Sequence, residues 1–165
     1  MSSISIRAAE PEDRSLIASI VDDAFEGPDE AKLVQHLHNN GDVVLELVAE
    51  LDGAIAGHIL FSRLHIEGET RFEAVALAPL SVASEHQGKG VGAALIKAAH
   101  QQLVLMGETL AVVLGDPGYY GRFGYINERA SGFTSPYQGE YLQALAFGNA
   151  PSTGTLIYSR AFEAL

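Results

Sequence analysis

Apolar and polar residues alternate through Ser3, Ile4, Ser5, Ile6 and Arg7, so the chain opens on a half-buried strand over residues 3–7. The period then turns helical. Pro11 suits a first turn, Glu12 and Asp13 complement the positive helix end, and Leu16, Ile17, Ile20, Val21, Ala24 and Phe25 share one apolar face. Gly27-Pro28 stops this helix, and a second is predicted over residues 30–39, ended by Asn39-Asn40-Gly41. Strands follow over 43–50 and 54–63, joined by Asp52-Gly53, a strong hairpin signal. Residues 72–82 pattern as another strand. Pro79 cannot donate to a ladder, so this strand needs a bulge or an unpaired edge there.

Helical spacing returns at Val91, Leu95, Ala98, Leu103 and Met106, predicting a helix over 88–106 that Gly107 ends. A short buried strand over 110–114 and further strands over 141–147 and 155–158 complete the pattern, the last two separated by Pro151-Ser152-Thr153-Gly154. Mostly antiparallel strands first, then one strand-helix-strand unit, predict an α/β (α+β) fold around one mixed sheet. Residues 1–165 are expected to form a single domain, without internal repeats.

Composition narrows the chemistry. With 47% hydrophobic residues the chain can bury a core without cross-links, and the absence of cysteine removes both disulfides and a thiol nucleophile. Net charge is -11, from 21 acidic and 10 basic residues, which opposes nucleic acid and anionic membranes and attracts cations. An acidic surface also serves solubility alone. No apolar run reaches membrane-spanning length and MSSISIRAAE lacks a secretory pattern, so a cytoplasmic location is expected. His36 and His38 point two ways on a helix and no His-Glu-x-x-His spacing occurs, so no metal site is expected. Ser81 and Ser84 lie outside any Gly-x-Ser-x-Gly elbow.

The segment Gln87-Gly88-Lys89-Gly90-Val91-Gly92-Ala93 lies between a predicted strand and helix, where free backbone amides favour an anion. Without a Cβ at 88, 90 and 92, phosphate oxygens can approach those amides, and Lys89 adds positive charge. A tight turn that only permits helix-sheet packing is the plainer alternative. A nucleoside-triphosphate loop is excluded because Gly90, not Ser or Thr, follows Lys89. Gly88-x-Gly90-x-x-Ala93 formally meets the dinucleotide pattern, but five residues separate it from its strand and only one strand-helix-strand unit is visible.

A third pattern, Gln/Arg-x-x-Gly-x-Gly/Ala, is met by Gln87, Gly90 and Gly92, with Leu80-x-Val82 on the preceding strand. Here APLSVASEHQGKGVGAALI resembles the acetyl-coenzyme A segment of the GCN5-related N-acetyltransferase (GNAT) superfamily. Tyr120-Gly121-Arg122-Phe123-Gly124-Tyr125 is similar to the family's Tyr-x-x-x-Gly-Phe/Tyr, and Ile6-Arg7-x-Ala9 with Asp13 to its opening strand and helix. The segment 115–125 most resembles the YhbS-like branch, although Asp116-Pro117-Gly118 shortens the lead into the tyrosine relative to many members.

The resemblance implies a GNAT fold: one mixed, mostly antiparallel sheet flanked by helices, with two strands splayed apart at the coenzyme site. It implies acetyl-coenzyme A as cosubstrate, held by Leu80, Ser81, Val82, Gln87, Gly88, Lys89, Gly90, Val91, Gly92 and Ala93, and an amine-bearing acceptor. It also implies a backbone amide near Val82 for the oxyanion. Tyr120 is the expected acid for the departing thiolate, with an ordinary pKa of ~10, against a plainer role as a core aromatic. Glu73 is the expected base, against a solvated edge charge, with Asp116 and Glu85 as competitors. An acyl-coenzyme A sensor without catalysis and a dinucleotide-dependent oxidoreductase stand as alternatives. The acceptor loops are expected at 27–40 and 131–140; the acceptor's identity and the oligomeric state, a homodimer included, stay open.

Overall fold

A computed structural model describes residues 3–164. Strand β1 (Ile4–Ala8) precedes a 3-10 turn at Pro11–Asp13, helix α1 (Arg14–Phe25) and helix α2 (Asp29–Asn39). The Arg7 guanidinium donates to both Asp13 carboxylate oxygens, at 2.7 and 2.9 Å, and to Glu50 at 2.6 Å. Asp13 also accepts from the Glu10 N–H, so one carboxylate both starts the first helix and ties it to the sheet.

Strands β2 (Val43–Leu51), β3 (Ala54–Glu67) and β4 (Arg71–Val82) form an antiparallel meander. Asp52 and Gly53 both take positive φ, the sign pattern of a type I′ hairpin. Helix α3 (Val91–Leu105) leads to β5 (Leu110–Leu114), which pairs parallel to β4. Short helices α4 (Pro117–Tyr120) and α5 (Asn127–Ala130), the two-residue β6 (Phe133–Thr134), β7 (Leu142–Ala146) and β8 (Gly154–Ile157) follow.

The sheet order is β1-β2-β3-β4-β5-β7. Strand β8 pairs with β3 at His65, Ile66 and Glu67, beyond the end of β2, and β6 pairs with β8. This is an α+β fold with a mixed, mostly antiparallel sheet, as the order of elements predicts. Alternation on β3 sends Ile59 and Phe61 to the core under α3 and Leu60 to the core under α2. With helices on both faces, β3 is buried along most of its length. No helix among the described residues is long and apolar enough to cross a membrane.

Two expectations change. The helix predicted from residue 88 starts at Val91, because Gly88 and Gly90 take φ of 76° and 83° and cannot belong to its first turn. Met106 (48% exposed), Leu16 (55%) and Phe25 (43%) are surface residues, whereas Ile96 and Ala99 supply core contacts of α3. The pairs β6–β8 and β3–β8 join residues far apart in sequence, which local periodicity cannot register.

Candidate active site

Strand β4 has two halves. Val75, Ala76 and Leu77 pair with β5 on one side and β3 on the other. Beyond them, β3 pairs Phe61 with Leu77 but Ile59 with Leu80, so Ala78 and Pro79 together oppose the single residue Leu60. That is the bulge Pro79 predicts. Past it β4 continues along β3 alone, and β5 diverges.

The orientation of the freed edge follows from the ladder. Ala83 N–H donates to Ala56 O at 2.8 Å, so 56 and 83 form a hydrogen-bonded pair and, by antiparallel alternation, 58 and 81 the next. The main-chain groups of Leu80 and Val82 therefore face away from β3, into the gap left by β5.

That gap opens into a cavity of about 500 Å³, and eight residues expected at the coenzyme site line it: Leu80, Val82, Gln87, Gly88, Gly90, Val91, Gly92 and Ala93. The turn feeding it is pinned at several points. Asp23 on α1 accepts from the Ser84 N–H at 3.0 Å and hydroxyl at 2.9 Å, bonds that hold its carboxyl below the usual range. Gln87 donates back to Val82 O at 3.3 Å. A Cβ at Gly92 would stand 2.5 Å from the Tyr119 hydroxyl, so glycine lets Tyr119 close one wall.

Two expected coenzyme residues are not brought to this cavity. Ser81 is 2% exposed; its main chain pairs with β3, and alternation carries its hydroxyl to the opposite sheet face from its two neighbours. Lys89 lies exposed on the turn, outside the lining. His86, Tyr119 and Arg122 line the cavity without having been singled out, as do Ala24 and Phe25. Arg122 supplies a cation there, 5.7 Å from the Tyr119 ring centre and 5.5 Å from that of Phe123. Its position inside the Tyr-x-x-x-Gly segment was the signal available.

A second cavity of about 360 Å³ meets the first at Phe25 and Leu80. It is lined by Tyr120 and by residues of both expected acceptor loops, Glu30 and Leu33 from one and Tyr137 from the other. The Tyr120 ring stands edge-on to Tyr119 at 5.0 Å and to the buried Tyr125 at 6.0 Å. Burial, with a smaller contribution from Tyr119, pushes the Tyr120 hydroxyl up to about 12, so it keeps its proton at neutral pH. Tyr125, behind it, hydrogen-bonds His100 Nε2 at 2.9 Å.

Glu73 is not brought together with Tyr120. It sits seven residues from Leu80 along β4, on the order of 20 Å at strand rise, with its carboxylate 66% exposed beside Arg63 at 3.7 Å and His65 at 3.8 Å. Neither Asp116, which caps α4 through the Gly118 N–H, nor Glu85 lines either cavity. The period of a strand fixes which face a residue takes but not how far it lies from a ligand.

Residues 5–126 match the family model described as the acetyltransferase (GNAT) domain. Two Escherichia coli K12 proteins, both named as uncharacterized N-acetyltransferases, are similar in sequence. YhbS is 36% identical over 121 residues, 73% of this chain and 72% of its own. YjhQ is 38% identical over 129 residues, 76% of this chain and 71% of its own. Among solved structures, a GNAT acetyltransferase from Brucella melitensis in complex with acetyl-CoA is 34% identical, with TM-score 0.82 over 97% of this chain and 98% of that one. E. coli YhbS in complex with CoA is 30% identical, with TM-score 0.89 over 97% and 92%.

Proposed function

Since the chain belongs to the GNAT family of acetyltransferases, we propose that it transfers the acetyl group of acetyl-coenzyme A to a primary amine by direct attack within a ternary complex. The observation that carries this is the half-unpaired β4, whose Leu80 and Val82 edge adjoins the left-handed glycine turn in one cavity. The diphosphate is assigned to the amides between Gly88 and Ala93 at the start of α3, where they lack carbonyl partners from a preceding turn. Arg122 adds charge nearby. The pantetheine arm, which carries amides of its own, pairs with Leu80 and Val82 as an added strand would.

This arrangement sets the thioester where the two cavities meet, by Leu80 and Phe25, with the acceptor approaching from the Tyr120 side. A backbone amide near Val82, on the freed edge of β4, stabilises the oxyanion of the tetrahedral intermediate. Tyr120 gives its proton to the departing sulfur. A phenol held near 12 is a weak acid, yet the burial that raises it also raises the basicity of a thiolate forming beside it, so transfer stays matched. Glu73 lies outside both cavities and takes no part in this scheme.

Titration calorimetry with acetyl-coenzyme A and NAD, followed by thiol release with an amine panel, tests the proposal. Binding of acetyl-coenzyme A alone and amine-dependent thiol release are expected. Binding without amine-dependent release would leave a sensor rather than an enzyme, and preference for NAD would remove the coenzyme assignment.

A further inference from the structure

From the walls of the second cavity we infer that the acceptor is a small monoamine on an apolar, aryl-sized body, with Glu30 receiving its ammonium group. This rests on the transferase proposal and specifies its acceptor. Among the described residues Glu30 is the only carboxylate residue lining the cavity, no Lys or Arg joins it there, and its side chain makes no hydrogen bond or ion pair. The one carboxylate residue of this wall therefore has no cation beside it there, within a protein whose net charge is -11.

The remaining walls are apolar and aromatic. Tyr137 stands edge-on to Tyr158 at 5.1 Å and 79°, and Tyr158 to Phe162 at 5.6 Å and 63°, all three lining the cavity with Tyr120. Such rings accept a flat apolar body and attract a cation through their faces. The volume of about 360 Å³ holds on the order of a dozen water-sized groups at ~30 Å³ each. A polyamine would bury a second ammonium with no partner, and a free amino acid would set its carboxylate against Glu30 with no cation to receive it.

Proton accounting is consistent with this assignment. The Glu30 carboxylate accepts one proton from the ammonium, and the freed lone pair forms the C–N bond at the thioester carbonyl. The C–S bond breaks with its electron pair on sulfur, which takes the Tyr120 proton. The second nitrogen proton passes to the tyrosinate, and Glu30 releases its own to water, giving amide, thiol and one proton.

Steady-state thiol release with 2-phenylethylamine, spermidine and phenylalanine, alongside calorimetry for acetyl-coenzyme A, tests this on the whole chain. Expected is a kcat/KM for 2-phenylethylamine at least about ten-fold above the other two, since each lacks a partner for one charge. Glu30→Gln should raise its KM about ten- to hundred-fold and lower kcat as well, leaving coenzyme affinity and competitive inhibition by uncharged 2-phenylethanol unchanged, while Glu30→Asp keeps part of the activity. Preference for spermidine or phenylalanine, or an unaltered KM in Glu30→Gln, overturns the inference and leaves the transferase proposal standing. Parallel loss of coenzyme affinity in Glu30→Gln marks Glu30 as structural and overturns it as well. Coenzyme binding with no amine acetylated at all defeats both.

Discussion

The two halves of β4 share one strand and one neighbour, β3, yet differ in what completes them. Around Val75–Leu77 both edges are hydrogen-bonded, the side chains of Val75, Ala76 and Leu77 are buried, and Arg63 forks onto Glu108 at 2.9 and 3.0 Å while donating to Ala74 O. From Leu80 to Val82 one edge has no strand beside it. Backbone groups left unpaired in a partly enclosed cleft are costly unless something else satisfies them. The contrast teaches that the fully paired half fixes the position of the open half, and the open half keeps its binding capacity as main-chain groups that no strand pairs, Val82 O being met by the Gln87 side chain.

Substitutions on either side of the bulge should therefore separate chemistry from stability. Tyr120→Phe removes only the proposed acid, so kcat should fall about 10²-fold or more, with the dissociation constant for acetyl-coenzyme A unchanged by calorimetry. Because Tyr120 stays protonated up to about 12, kcat in the wild type at saturating amine should show no falling limb through pH 10. A tyrosine at its ordinary ~10 would already begin to cost activity there. Gly90→Glu puts a carboxylate into the proposed diphosphate cradle at a φ of 83°, weakening the coenzyme on the order of 100-fold while circular dichroism stays that of a folded protein. Val75→Ala, on the closed half at 0% exposure, should do the reverse. It costs about 2 kcal/mol of stability, read by urea unfolding, and leaves the KM for acetyl-coenzyme A alone.

A smaller effect connects the aromatic layer behind Tyr120 to pH. Burial lowers His100 to about 4, so its neutral form is favoured in the folded state. The stability tied to that shift is complete above the unfolded value of about 6.5 and is lost as pH falls through about 4. It amounts to about 2 kcal/mol once the partial exposure of the ring is discounted. His100→Gln should flatten the acid limb of an unfolding-free-energy profile between those values, and an unchanged limb would remove His100 from the acid response.

Much of this architecture was legible in the chain because its signals are local. The Asp52-Gly53 hairpin, the bulge at Pro79 and the turn at Gly88 and Gly90 each follow from what those residues permit at their own φ or N–H. Phe25 shows the limit of a helical stripe: it shares spacing with the buried Ile17 and Val21 but ends 43% exposed, where the two cavities meet. Ser81 shares the Leu80-x-Val82 segment with its neighbours, yet alternation opposes its side chain to theirs. Arg122 stands at a variable position of its motif, so the motif assigns no task to its charge. Glu30, Tyr137 and Tyr158 come to one cavity from three separate segments, and no spacing rule joins them.

Amide hydrogen exchange across β4, with and without acetyl-coenzyme A, tests the central claim most directly. The predicted result is slow exchange at Val75 and Leu77 in both states, and faster exchange at Leu80 and Val82 that slows on coenzyme addition together with the amides of residues 88–93. Protection at Leu80 and Val82 already complete in the free protein, or unchanged when the coenzyme is bound, would contradict an open strand edge as the coenzyme's partner.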